Sequence, residues 1–307
     1  MKSRKFGEKG RIVTSVDDLP IYIPHEEIAD NLYQTVKILT EITPPRNYEH
    51  PESLDRVSAF ITETFKIHGY SPQEQLFTFN RNIIASIGPE DAPRLVIGAH
   101  YDAYDEQPGA DDNASGVAAL LELAKLVASK RWTLRHRVDF AAYTLDRLPT
   151  FQNQFMGSFV HAHSLKESGA LVKGMIALEM LGYFSDEPDS QKYPRGISIE
   201  DMPDTGNFIT VVGRPQDAAL AEQITKSMKK TRLPSEKLLQ PQRFRELDFS
   251  GHWGFWALDF PAVMVTDTAF FRNPHYHQAS DTIDTLDFDK MADVVQGISE
   301  VIYDGII

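Results

Sequence analysis

Arg94-Leu95-Val96-Ile97-Gly98-Ala99-His100-Tyr101-Asp102, with Gly109-Ala110-Asp111-Asp112-Asn113-Ala114-Ser115-Gly116 shortly after it, is the stretch on which the reading of this chain turns. A short apolar run that stops at polar residues reads as a buried strand. The small-residue turn that follows opens a helix from Ala114 to Lys130, for which Asp111, Asp112 and Asn113 offer capping side chains and negative charge at the positive end of the dipole. In extended chain His100 and Asp102 point to one side of the strand. An imidazole with a carboxylate two residues on suits a metal ligand, one nitrogen for the ion and an acceptor to fix the tautomer of the other.

The same alternation continues outward. Amphipathic periodicity predicts helices over Glu27 to Thr43 and Pro51 to His68, then strands at Leu76 to Phe79, Asn82 to Ile87 and Arg94 to Gly98. Beyond the central helix come strand Arg137 to Thr144, helix Gly157 to Ser168, strand Gly174 to Met180, strand Asn207 to Val212 and helix Pro215 to Thr231. An extended piece at Lys237 to Leu239, strand Ala262 to Thr266 and helix Phe288 to Ile302 complete the pattern. Strands alternating with helices predict an α/β fold, a sheet covered on both faces. The organisation read here is an N-terminal arm over 1–25 and one domain over 26–307, with a polar surface insertion at 185–206.

The chain has 307 residues, 31 Lys and Arg against 44 Asp and Glu, and a formal net charge of −13. With no basic runs, this disfavours nucleic acid as a partner. The absence of Cys removes disulfides and thiolate zinc sites, so metal or acid–base chemistry falls to the ten His and the carboxylates. The longest apolar stretch, Gly116 to Ala128, is broken by Glu122 and Lys125 and is far short of the roughly 20 apolar residues that span a bilayer. The basic N-terminus lacks the apolar region of a signal peptide. The expectation is a cytoplasmic chain, or an exported one whose signal has been removed; oligomeric state is not legible.

In such sheets ligands bind outside the carboxyl ends of the strands. At those ends stand His100 and Asp102, the Asp111-Asp112 pair, Glu179, and His275-Tyr276-His277 ahead of Asp281. Each alone is weak: the Asp pair reads equally as a helix cap, and His275 and His252 as satisfied surface or core histidines. Glu179 is more telling, because a carboxylate after an apolar strand is costly to bury unless paired or coordinating a cation. Tyr183, Phe270 and Phe271 are candidates for a substrate side-chain pocket, although aromatic clusters beside strand ends are more often core.

Together the runs VIGAHYDA, GADDNASGVAALLELA, HRVDFAAYTL, MGSFVHA, ALEMLGY and FPAVMVTDTAFFRNPHYHQASDTIDTLDF resemble the zinc-dependent aminopeptidases of peptidase family twenty-eight, over residues 27–305. That family also holds glutamate carboxypeptidase, glutaminyl cyclase and transferrin-receptor-type domains. The resemblance implies the three-layer α/β/α zinc-exopeptidase fold with a mixed, mostly parallel sheet. It implies zinc as cofactor and a peptide or N-terminal aminoacyl substrate. It places His100, Asp111 and Glu179 on one zinc, Asp102 behind His100, and Asp111 and His277 on a second.

The catalytic Glu-Glu pair of the family, one a general base and one a ligand, is matched here by Asp146-Arg147. A guanidinium offers donors only and cannot ligate zinc, and Asp146 as base is retracted by about one C–C bond, ~1.5 Å. Gly251, in Ser250-Gly251-His252, stands where the family commonly has an acid. The expectation is therefore an aminopeptidase-type hydrolase with one zinc and an impaired site. The alternatives are an inactive, metal-free family member that acts by binding and, less favoured, a cyclase-like acyl transferase.

Overall fold

The computed structural model describes residues 23–130, 134–146, 150–197, 202–239 and 247–305. The greater part of the expected arm, 1–22, lies outside them, and the chain is already helical at His25. The elements are α1 (His25–Thr40), α2 (Pro51–Ile67), β1 (Gln73–Phe77), β2 (Asn80–Ile87), β3 (Arg94–His100), α3 (Gly116–Ser129), β4 (Arg137–Tyr143) and α4 (Gly157–Glu167). They continue with β5 (Val172–Glu179), β6 (Ile209–Gly213), α5 (Ala218–Met228), β7 (Ser235–Leu239), α6 (His252–Trp256), β8 (Ala262–Thr266) and α7 (Phe288–Asp304). Among these residues no helix is long and apolar enough to cross a membrane.

The eight strands among the described residues form one mixed sheet in the order β1-β2-β4-β3-β5-β8-β6-β7. Its centre, β4-β3-β5-β8, is parallel, while β1, β2 and the β6–β8 pairing are antiparallel. Side-chain alternation splits the core into two layers. Leu95, Ile97 and Ala99 of β3, with Ile176 and Leu178 of β5, pack on the side of α1, α2, α3, α5 and α7. Val96, Met175 and Ala177 pack on the side of α4 and α6. The fold is the expected three-layer α/β/α arrangement.

From β3 the chain crosses by α3 to β4 on one side, and from β4 it returns by α4 to β5 on the other. The strand order therefore reverses between β3 and β5, and a crevice opens at their carboxyl ends, the place where α/β sheets bind ligands. His100 ends β3 and Glu179 ends β5.

Several local details differ from the periodicity reading. The central helix begins at Gly116 because Ala110–Ser115 forms a wide, kinked turn with non-helical torsions at Asp112 and Asn113. The first strand stops at Phe77, as Thr78 takes a left-handed φ of 51° in the hairpin turn. The short α6 carries no periodic signal of its own.

Candidate metal site

His100 leaves β3 buried, with Nδ1 2.9 Å from the backbone carbonyl of Asp102. A carbonyl only accepts, so Nδ1 carries the proton and Nε2 is the nitrogen presented to the crevice. Nε2 lies 3.3 Å from Glu179 Oε1 and 3.6 Å from Asp112 Oδ1. These ligand atoms all lie within 4.8 Å of one another. An imidazole nitrogen facing two buried carboxylates requires a proton or a cation between them.

Asp112 reaches this point because its turn is strongly constrained. Gly109 enters it with φ 62°, and a Cβ there would collide with the Asp112 carbonyl. Asn113 then ties the turn to the end of β5, with Nδ2 donating to Leu178 O at 2.9 Å and Oδ1 accepting from Met180 N at 3.0 Å. Asp112 and Glu179 are thereby held on opposite sides of one side-chain bridge.

The expectation that Asp111 is the shared ligand is corrected by this geometry. Successive side chains in the turn diverge, and the Asp111 carboxylate points away from His100, accepting from Gly182 N at 2.9 Å and Asn273 Nδ2 at 2.7 Å. It is fully buried beside Asp267, which accepts from Tyr183 N and Ala269 N. Burial raises both carboxyls, Asp267 well above the usual range with Asp111 adding to it. Asp102 stands behind His100 as expected, holding Nδ1 through its backbone carbonyl at 2.9 Å, with its carboxylate oxygen 3.6 Å from the same nitrogen.

His277, in a left-handed conformation with φ 57°, presents Nε2 3.3 Å from the other oxygen of Asp112. Its ring is clamped between Tyr104, 3.6 Å away and near-parallel, and Tyr276 at 3.7 Å. Asp112 thus has one imidazole at each carboxylate oxygen. His275 turns aside to Ser280 Oγ at 2.9 Å. His252 is a core residue, with Nε2 on Leu247 O and its pKa lowered to about 4 by burial.

Asp146 follows β4 and is buried, with Oδ1 accepting from Ser158 N in the first turn of α4 at 3.1 Å. Asp146 Oδ2, Asp102 Oδ1 and Thr144 Oγ1 have no hydrogen-bond partner among the described residues. Burial, reinforced by the Asp102 charge, pushes the Asp146 carboxyl up to about 7, against the opposing pull of His100 and the Ser158 amide. Gly251 gives it room, since a Cβ there would lie 3.2 Å from Asp146 Oδ2 and 3.3 Å from Ser158 Cβ. Arg147 lies outside the described residues.

A pocket runs from Glu179 along the α4/α6 face of the sheet, over Thr266, Thr210, Met264 and Val212. Phe270 and Phe271 line it, with Phe249 and Tyr276. Tyr183 lies outside this lining and packs edge-on against His275. The insertion supplies one wall: Gln191 bonds both Arg272 and Thr268 and so fixes the loop bearing the two phenylalanines.

The sequence reading noticed Asp112, Asn113 and Asp281 without giving them these roles, and missed Asp267 and Asn273 as site-builders. Each lies inside or beside a run that attracted notice, but only the fold shows which polar side chain faces inward.

The profile of peptidase family M28 matches residues 82–302. The chain belongs to this family. The uncharacterized protein YfbL of Escherichia coli (strain K12) is 40% identical over 293 residues, 91% of this chain and 89% of the relative. A probable leucine aminopeptidase of Arthroderma otae (strain ATCC MYA-4605 / CBS 113480) is 28% identical over 238 residues, 74% of this chain and 56% of the relative, so the chain spans little more than half of that protein. The Legionella pneumophila LapA aminopeptidase superposes with a TM-score of 0.72 at 21% identity, covering 92% of this chain and 74% of that one. That likeness is one of fold. Membership in peptidase family M28 supports an aminopeptidase-like hydrolase and suggests zinc as the metal.

Proposed function

We propose that this M28 chain is a zinc-dependent exopeptidase that removes residues from peptide N-termini and works with one metal ion, held by His100, Asp112 and Glu179. The observation that carries this is the convergence of their three ligand atoms within 4.8 Å, with the His100 tautomer set by the Asp102 carbonyl. One imidazole and two carboxylates suit zinc in a catalytic site, which keeps a fourth position open. A second ion would find only Asp112 and His277 among these residues, because Arg147 offers no lone pair.

A zinc ion held there would supply Lewis-acid polarisation of the scissile carbonyl. The chain's own residues do the rest. The pocket takes the apolar side chain of the N-terminal residue, and Asp146 acts as the base that accepts a proton from the attacking water.

Protein purified without chelator is expected to carry one zinc per chain and to hydrolyse leucine p-nitroanilide. Turnover no greater than that of Asp112→Ala would sink the enzymatic reading. In that event the buried, helix-anchored Asp146 and the open Gly251 favour the second reading, a binding protein on the same scaffold.

Two kinetic expectations follow from the geometry. With the Asp146 carboxyl near 7, it is protonated and unable to accept below that pH. Accordingly kcat/KM rises about tenfold per pH unit up to about pH 7 and then levels, and Asp146→Asn lowers the plateau and removes the limb. Phe270→Ala removes part of the pocket wall, which contributes equally to ground and transition states. It should raise KM for leucine p-nitroanilide about fivefold and leave kcat within twofold, as expected for loss of part of a buried side-chain contact.

A further inference from the structure

We infer that Asp281 is the positioning residue of the metal site, the group that holds Asp112 in its ligating orientation; this rests on the single-metal reading above. The turn Ala110–Ser115 is buried throughout, so its amides need partners inside the protein. Asp281 supplies three in succession. Its carbonyl accepts from Ala110 N at 3.2 Å, Oδ1 accepts from Asp111 N at 2.8 Å and Oδ2 from Asp112 N at 3.1 Å.

Consecutive N–H groups converging on one carboxylate form an anion-binding nest built from the backbone of the ligand turn itself. Asp281 is 1% exposed, so these amides are its solvation, and the charge-assisted bonds they form are about twice as strong as neutral ones. The grip extends to the same loop's other contacts. Asn273 donates to the Asp111 carboxylate at 2.7 Å, His277 faces the Asp112 carboxylate at 3.3 Å, and Asp281 holds the amides beneath both. One loop meets the turn at three points, and Asp281 is the point that sets the backbone direction of Asp112. Rotation of that peptide would carry the Asp112 carboxylate away from His100 and Glu179.

The test is zinc affinity, measured on the full chain by competition with a chromophoric chelator, beside the d–d spectrum of the cobalt-loaded protein. Asp281→Asn keeps the size but sets an NH2 group against one of the two amides. It should lose 10- to 100-fold in zinc affinity, the range for groups that orient metal ligands, and change the cobalt band intensities. Asp281→Ser, which accepts from one amide only, gives the same reading if the Asn variant does not fold. Val295→Ala, a core truncation in α7, lowers Tm but leaves the affinity unchanged, which separates positioning from general stability. A wild type that binds zinc and an Asp281 variant that binds it within twofold as tightly would overturn this inference alone. A wild type that binds no zinc would overturn it together with the single-metal reading.

Discussion

Asp112→Asn is expected to cost at least 10²-fold in zinc affinity and to remove turnover, whereas Asp111→Asn keeps the metal. The two residues are neighbours in sequence with the same side chain, so the contrast isolates geometry. Asp112 places one oxygen 3.6 Å from His100 Nε2 and the other 3.3 Å from His277 Nε2. A four-ligand zinc site is worth about 10–16 kcal/mol, so one ligand carries roughly 3 kcal/mol, on the order of 10²-fold. Asp111 makes its bonds to Gly182 N and Asn273 Nδ2 and shares a buried pocket with Asp267. An amide at 111 still accepts from Gly182 and relieves one of two adjacent buried acids, but sets its NH2 against the Asn273 Nδ2 donor. Its effect falls on the fold, about 1–3 kcal/mol, the cost of leaving a buried donor unsatisfied. Chelator competition reads the first effect and thermal melts the second. Equal loss of zinc from both variants would show that the turn, not the Asp112 carboxylate, is what the metal needs.

The fold was legible because buried parallel strands announce themselves. Leu95 to Ala99 and Met175 to Leu178 are continuous apolar runs that end abruptly at polar residues, and those residues fall at the switch point between β3 and β5. His100 and Glu179 could therefore be placed from the strand ends alone. Asp111 and Asp112 could not be told apart. Which of two consecutive carboxylates faces a strand end depends on the torsions of the turn, and Asp112 at φ −105°, ψ 84° breaks the helical register that the sequence suggests. The supporting acids were hidden for a related reason. Asp281 and Asp267 come close to the turn only after β8 and the loop beyond it have crossed the molecule, and no local pattern encodes a contact across 170 residues of chain. The pocket was half-legible: Phe270 and Phe271 line it, while Tyr183, adjacent to the same loops, donates its backbone amide to Asp267.

Restoring the family's carboxylate pair, Asp146→Glu with Arg147→Glu, should convert a one-zinc protein into a two-zinc protein and raise kcat/KM about 10²-fold. Asp146 is now drawn back toward α4, its Oδ1 on Ser158 N at 3.1 Å. One added methylene advances the carboxylate by about 1.5 Å, and displacements of about 1 Å at a reacting group are worth ~10²-fold in rate. At 147 the exchange removes a group that only donates and introduces one that can ligate, completing with Asp112 and His277 a third protein ligand for the second ion. A Cβ at Gly251 would stand 3.2 Å from the Asp146 carboxylate oxygen, a contact that requires a shift of a few tenths of an ångström, so Gly251→Ala added to the pair should reduce the gain while leaving the first zinc on His100, Asp112 and Glu179 undisturbed. Metal analysis and steady-state kinetics on the double and triple variants separate the steps. A double variant that still binds one zinc, at an unchanged rate, would overturn both position 147 as a ligand position and the retraction of the Asp146 carboxylate as the cause of a weak centre.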